Sequence, residues 1–343
     1  MSDIKIVAEI GCNHNGDISL AKKMIFCAKD AGADAVKFQS FVPEKLVSIH
    51  AQKASYQKKN DGDGYQLDML KRLRLTNNEY LELIDYAKNL DIQIFSTAFD
   101  FDSLLFLEKI GQKIWKVPSG EITNLPYLER IAAIDCLNKQ IILSTGMSTV
   151  DDITYAIKVL ERSKNTAFTI LHCNTQYPTE DKDMNLLAIN DLKRVAPNWK
   201  IGLSDHSKGI IAAITTVGLG VKFIEKHFTL DKCMVGPDHD ASITPEELKE
   251  LCVGVRRAES MLGSGIKGVT DSEKQNIFFA RKSIVAKRKI LKGEVFSKDN
   301  MTCKRPGNGI SPVHWYEVLG KVAESDFEID DFIKYSGVRC EDE

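Results

Sequence analysis

Short apolar runs rich in β-branched residues recur through the first two thirds of the chain, and each gives way to polar residues at its C-terminal end. The runs are IKIVAEIG from Ile4, DAVKFQSF from Asp34, DIQIFSTAF from Asp91, IWKVPSGE from Ile114, KQIILSTGM from Lys139, FTILHCNTQYP from Phe168, KIGLSDHS from Lys200 and VKFIEKHFTL from Val221. Near-continuous apolar runs of this length suit strands buried on both faces of a parallel sheet. Between them lie stretches such as LAKKMIFCAKDAG and NEYLELIDYAKNLD, whose apolar residues return at three and four positions, as on an amphipathic helix. Strand and helix alternate eight times, which predicts a (β/α)8 TIM barrel; an open doubly wound sheet is the alternative.

Three stretches depart from the repeat. The second strand is followed by a long connection through EKLVSIHAQKASYQKKNDGDGYQLDML, which is either a cover for the site or an inert solvated loop. A helix, TPEELKELCVGVRRAESMLG, opens with Thr244 and Glu247 in capping-box spacing and closes the barrel. From about residue 282 the segments shorten and alternate between turns at Lys292-Gly293 and Pro306-Gly307. The expected division is a catalytic barrel over 1–263, a linker over 264–281 and a small, mostly β domain over 282–343.

Composition narrows the class. Lys and Arg number 46 against 48 acids, so the mean field gives no reason to expect nucleic acid or an anionic membrane as a partner. The 8 cysteines lack metal-ribbon spacing and read as buried thiols. With no basic leader and no long apolar span, a cytoplasmic protein is expected.

Candidate chemistry lies at the strand ends, which in a barrel converge on one mouth. They carry Glu9, Asn13 and His14; Lys37 and Gln39; Ser96 and Thr97; Lys116, Ser119 and Glu121; Ser144 and Thr145; His172, Thr175 and Tyr177; Ser204, Asp205 and His206; Glu225 and His227. Lys37 and Lys116 sit inside apolar runs and need anionic partners, either a phosphate or carboxylate ligand or an internal pair with Glu9 or Glu225. Ser119, Thr97, Thr175 and Ser204 add hydroxyl donors. His206 and His227 end consecutive strands, an arrangement open to a divalent metal with free positions, or to two satisfied core histidines. Asp238, behind a Gly-Pro turn, suits either a sugar hydroxyl or the turn itself.

The motifs AEIGCNHNG, VKFQSF, FSTAF, KVPSGEITNLPYL, ILSTGM, LHCNTQYPT, GLSDHS, EKHFTLDK, GPDH and KRPGNGIS, in this order, resemble the sialic acid synthases over nearly the whole chain. The C-terminal segment resembles that family's antifreeze-like (SAF, β-clip) domain. The resemblance implies a transferase that joins C3 of phosphoenolpyruvate to the aldehyde carbon of N-acetylmannosamine, water attacking C2 and phosphate leaving by C–O cleavage. The alternative acceptor is a 2,4-diacetamido-trideoxy hexose, giving legionaminic or pseudaminic acid.

By motif match, Lys37, Thr97, Lys116, Ser119, Thr175 and Ser204 are expected to hold phosphoenolpyruvate. Lys116 also counts with Glu9 and Glu121 as catalytic, the two carboxylates dividing the proton transfers in an order left open. Gln39, Tyr177 and Asp238 fall near the amino sugar. His206 and His227 are expected to bind Mn2+, with Mg2+ or Co2+ as substitutes. Arg305, within KRPGNG, is implied to reach the acetamido group in the partner's barrel of a domain-swapped homodimer. Relatives often carry proline at Ala98 and Glu180, and some carry asparagine at Thr175. A Schiff-base aldolase using Lys37 or Lys116 as its amine is the competing mechanism, and a non-catalytic sugar- or ice-binding protein the competing class.

Overall fold

A computed structural model of the chain describes residues 3–338. It divides into two compact units, residues 1–263 and 264–343.

The first unit is a barrel of eight parallel strands: β1 Lys5–Gly11, β2 Ala35–Ser40, β3 Gln93–Ala98, β4 Ile114–Val117, β5 Lys139–Ser144, β6 Thr166–Cys173, β7 Lys200–Asp205 and β8 Phe223–His227. Their ladder order is β3-β2-β1-β8-β7-β6-β5-β4, so β1 pairs with β8 and the expected barrel, not the open sheet, is formed. The run expected from Ile114 is a strand only to Val117, because Pro118 cannot continue the ladder and Ser119–Glu121 turn into a 3-10 helix.

Side chains alternate across each strand, and the alternation builds the site. Outward residues such as Ile6, Ala8, Val36 and Leu143 pack on the surrounding helices. Inward, Val7, Ala35, Phe95, Ile114, Ile142, Leu171 and Phe223 form a separate buried apolar plug. Two positions further along, these strands carry Glu9, Lys37, Thr97, Lys116, Ser144, Cys173 and Glu225, all buried. The barrel therefore changes from oil to charge in one residue layer. On β7 the plug position is Gly202, where an added Cβ would stand 2.5 Å from Leu171 Cδ2 and from the Phe223 carbonyl. Only glycine leaves room for both neighbours.

β3 and β4 lie side by side at the ends of the ladder order, with no registered ladder between them. A side chain closes the seam: Gln112 Oε1 accepts from the Ser96 amide at 2.8 Å and its Nε2 donates to the Ser96 carbonyl at 2.9 Å. One amide thus satisfies the two backbone groups of buried Ser96.

The long connection after β2 is structured, with helices Pro43–Leu46, Ser55–Asp61 and Gln66–Leu73. Buried Lys53 ties it together by donating to Asp61 Oδ2 at 2.7 Å and to the Gly62 carbonyl at 2.8 Å, while Arg72 grips the same carboxylate. The last helix of the unit, Pro245–Met261, opens with the expected capping box, Thr244 and Glu247 exchanging bonds of 2.9 and 3.4 Å.

In the second unit β9, Ser283–Ala286, pairs antiparallel with β10, Met301–Lys304, over a core that includes Ile284, Ile290, Phe296 and Phe327. The segment 264–281, expected as a linker, contains the helix Asp271–Ala280. Among the described residues no helix is long and apolar enough to cross a membrane.

The expectation of uniformly buried thiols needs correction. Cys12, Cys173 and Cys252 are buried, but Cys27, Cys136 and Cys303 are half-buried and Cys233 is exposed in the turn after β8; Cys340 lies outside the described residues.

Gln112→Leu keeps the bulk but strands both Ser96 groups. It is expected to cost about 1–3 kcal/mol of stability in urea unfolding. An unchanged unfolding midpoint would show that the seam does not depend on this amide.

Candidate active site

The polar layer holds four charges out of water. Lys37 Nζ lies 2.8 Å from Glu9 Oε2, 3.1 Å from Thr97 Oγ1 and 3.9 Å from Glu225 Oε1. Lys116 Nζ donates to both oxygens of Glu225, at 2.9 and 3.0 Å. Ser204 Oγ adds a 3.0 Å bond to the same carboxylate, and Gln39 Nε2 donates to Glu9 Oε1 at 2.9 Å. Of three protons on each ammonium, Lys116 spends two on Glu225, and Lys37 spends one on Thr97 while pairing with Glu9, so each keeps at least one for a ligand.

The two carboxylates are not equivalent. Burial would raise Glu225, but the ammoniums of Lys116 and Lys37 overcome it and hold the group at about 2. For Glu9 burial prevails over Lys37, the charge on Glu225 adds to it, and the carboxyl is pushed up to about 6. Lys37 would be depressed by burial, yet Glu225 and Glu9 carry it above the ordinary lysine value. Held as ammonium, Lys37 is a donor to an anion, which favours anion binding over a Schiff base at this position.

Above the charges stand the rings. His206 and His227, ending adjacent strands, have centroids 5.3 Å apart. Tyr177 stacks at 4.1 Å from His206 and meets His227 edge-on at 5.5 Å. Tyr56, from the long connection, stacks on Tyr177 at 5.3 Å. The connection therefore reaches the mouth, and of its two expected roles the structure favours the cover. Asn60 of the same segment donates to the Pro237 carbonyl at 2.9 Å, beside Asp238.

A third group forms a small shelf. Ser119 Oγ accepts from the Gly146 amide at 3.0 Å, and a Cβ on Gly146 would stand 2.6 Å from Thr175 Cγ2 and 2.8 Å from Ser119 Oγ. The bare backbone of Gly146 is what lets these two hydroxyl residues close around it. The buried Ser144 Oγ has no hydrogen-bond partner and is a free donor in the charged layer.

The family follows from comparison with known proteins. The NeuB family model matches residues 24–267, and the SAF domain model matches residues 281–339. The chain belongs to the NeuB family. An N,N'-diacetyllegionaminic acid synthase of Campylobacter jejuni is 49% identical, covering 97% of this chain and 100% of that protein. Human N-acetylneuraminate-9-phosphate synthase is 34% identical over 96% of this chain and 90% of its own length. The crystal structure of an N-acetylneuraminic acid synthetase from Leptospira borgpetersenii, in complex with citrate, aligns with a TM-score of 0.71 at 34% identity, covering 80% of this chain and 90% of that one. This NeuB chain is accordingly a nonulosonic acid synthase, a transferase.

The barrel brings together Glu9, Lys37, Gln39, Thr97, Lys116 and Ser204, with Tyr177, His206 and His227 above them and Ser119 with Thr175 on the shelf. Asp238 Oδ2 lies 4.0 Å from His227 Nδ1, and burial raises its carboxyl to about 6. Glu121 makes none of the charge-layer bonds: it accepts from Asn124 Nδ2 at 2.6 Å and lines a cavity of about 280 Å³ with Asp100, Phe101 and Tyr127. Arg305 is exposed in the second unit, its Nε donating to the Ala280 carbonyl at 3.1 Å.

The sequence reading named Glu225 as an internal partner for the lysines, which it is, but gave it no role in the site, and it did not see Tyr56 or Gly146. Glu225 carried a signal, as an acid inside an apolar run. It also missed the support beneath the histidines. Asp205 and Lys226, both fully buried, pair at 2.9 Å, and each also bonds Ser207, so the residues flanking His206 and His227 are locked.

The divalent metal implied by the family can be tested against these residues. His227 Nδ1 is buried with no hydrogen-bond partner, and burial with its neighbour His206 depresses the imidazole well below its ordinary value, leaving it neutral. His206 Nδ1 faces the Asn174 carbonyl, which directs Nε2 toward Ser204 at 3.4 Å and the mouth. Among the described residues no three His, Cys, Asp or Glu converge on one point. The donor set fits an ion held by two imidazoles with most positions left to water and substrate.

Gly146→Ala is expected to spread Ser119 and Thr175 and raise the KM of the anionic substrate at least about tenfold in steady-state assays. An unaltered KM would remove the shelf from the binding site.

Proposed function

We propose that this chain is an N,N'-diacetyllegionaminate synthase, condensing phosphoenolpyruvate and water with a 2,4-diacetamido-2,4,6-trideoxy hexose and releasing phosphate. The observation that carries the choice of acceptor is the higher identity, end to end, to the Campylobacter legionaminic acid synthase than to the neuraminate synthases. N-acetylmannosamine, the first expectation from the motifs, becomes the second reading.

The geometry supports the class of chemistry. Phosphoenolpyruvate brings several negative charges into a layer where Lys37 and Lys116 each keep one unspent proton, and Ser119, Thr175, Ser204 and Ser144 supply neutral donors. Pairing with Glu9 and Glu225 holds Lys37 above its ordinary value and so keeps it charged while the site is unfilled by anion.

Of the two carboxylates left open by the motifs, Glu9 is the better proton carrier. It sits in the charge layer with a value near neutral pH, whereas Glu121 is committed to Asn124. Mn2+ or a similar ion at His206 and His227 would supply Lewis-acid polarisation of the acceptor aldehyde. Tyr177 and Asp238 border that position and are assigned to the sugar. Arg305 in a homodimer, and a cytoplasmic setting, belong to the same reading.

The acceptor is tested by steady-state assays with both sugars. The diacetamido sugar is expected to have a kcat/KM at least about tenfold higher; a preference for N-acetylmannosamine would reverse the assignment. With the preferred sugar, kcat/KM should fall as pH drops through about 6, where Glu9 and Asp238 take up protons. Glu9→Gln should lower kcat by about 10²-fold or more, while Asp238→Asn should act chiefly on the sugar KM. A flat profile between pH 5 and 7, or a Glu9→Gln enzyme of normal kcat, would contradict the role of Glu9.

A further inference from the structure

Beside the charge layer, the long connection together with Gln39 and Phe99 borders an open cavity of about 230 Å³ lined by six apolar side chains and three glutamines. Its walls are Phe41, Phe99 and the aliphatic residues Leu46, Val47, Met69 and Leu70, and no charged residue lines it. The contrast with the mouth cavity next to Tyr177 is sharp, since that space of about 690 Å³ is bordered by Glu180, Asp181, Lys182 and Lys208. An anion has no cation to meet in the smaller cavity, and its six apolar side chains favour a group that carries a methyl.

The glutamines determine what does fit. Gln39 spends one amide proton on Glu9 Oε1, at 2.9 Å, and keeps the other. Gln57 Oε1 already accepts from the Ala54 amide at 2.9 Å and from Gln66 Nε2 at 3.3 Å. The Gln66 carbonyl oxygen has no protein partner among the described residues. The cavity therefore offers spare N–H donors and one spare C=O acceptor on an otherwise apolar wall. A secondary amide bearing a methyl group has the complementary set: one C=O, one N–H and an apolar end. The cavity is also tied to the site at both edges, through Gln39 to Glu9 and through Gln57, whose Nε2 lies 3.4 Å from the hydroxyl of Tyr56, the ring stacked on Tyr177.

We propose that this cavity is the specificity subsite for the apolar end of the acceptor sugar, taking its 4-acetamido group and the neighbouring C6 methyl. The inference rests on the substrate reading given above and deepens it. It places selection between acceptors in Gln39, the segment 41–70 and Phe99, next to the charge layer but on none of the residues assigned to phosphoenolpyruvate or on the two histidines.

The test measures the specificity ratio, kcat/KM for the diacetamido-trideoxy sugar over kcat/KM for N-acetylmannosamine, in the unaltered chain and two variants. Val47→Phe fills the cavity from its half-buried rim, and Gln66→Leu removes the spare acceptor at similar volume; thermal melts establish that each folds. The ratio is expected to fall at least tenfold in Val47→Phe and several-fold in Gln66→Leu, through the KM of the diacetamido sugar. Should Val47→Phe fail to fold, the Gln66→Leu ratio decides alone. An unaltered chain that prefers the diacetamido sugar, with folded variants whose ratio stays within twofold, overturns the subsite and leaves the substrate reading standing. An unaltered chain that prefers N-acetylmannosamine overturns both.

Discussion

Two ammoniums and two carboxylates buried within one layer of a barrel are the constraint on which the rest of this molecule depends. Removing four charges from water costs several kcal/mol per ion, and mutual attraction offsets that only when geometry and hydrogen bonds are both supplied. Here four different strands supply them: β1 brings Glu9, β2 Lys37, β4 Lys116 and β8 Glu225. No local segment of chain has this arrangement. It exists only when the barrel has closed, so the fold and the site form together.

The arrangement is also asymmetric. Glu225 sees two ammoniums and stays ionised; Glu9 sees one, along with the negative charge of Glu225, and is left near neutrality. One carboxylate is thus a fixed counter-charge and the other takes up a proton at about pH 6, without any difference in residue type. Below them the apolar plug keeps water out of the barrel. Above them Tyr177 packs against two imidazoles that the buried Asp205–Lys226 pair holds from behind.

Much of this was legible in the sequence because strand periodicity is two. An apolar run ending in a polar residue places that residue inward, one layer above the plug, and Lys37, Lys116, Thr97 and Ser204 were found that way. What escaped depends on contacts between distant segments. The Gln112 clamp at the β3–β4 seam looks like any surface glutamine. Tyr56 lies in a polar stretch with no periodicity, 121 residues before the ring it stacks on. Glu121 follows a strand as closely as the others, but Pro118 turns the chain, and its carboxylate accepts from Asn124 instead of joining the charge layer. Cys233 looked like its buried counterparts, and only its position in a surface turn separates it from them.

The central claim is that Glu9 and Glu225 share a site and differ in protonation. Carboxyl 13C NMR of the protein labelled at glutamate, titrated from pH 3 to 8 and assigned with Glu9→Gln and Glu225→Gln, measures it directly. One buried carboxyl titrating near pH 6 and lost in Glu9→Gln, with the Glu225 signal ionised throughout, is the predicted result. Two carboxyls that both titrate near the ordinary glutamate value would contradict the account.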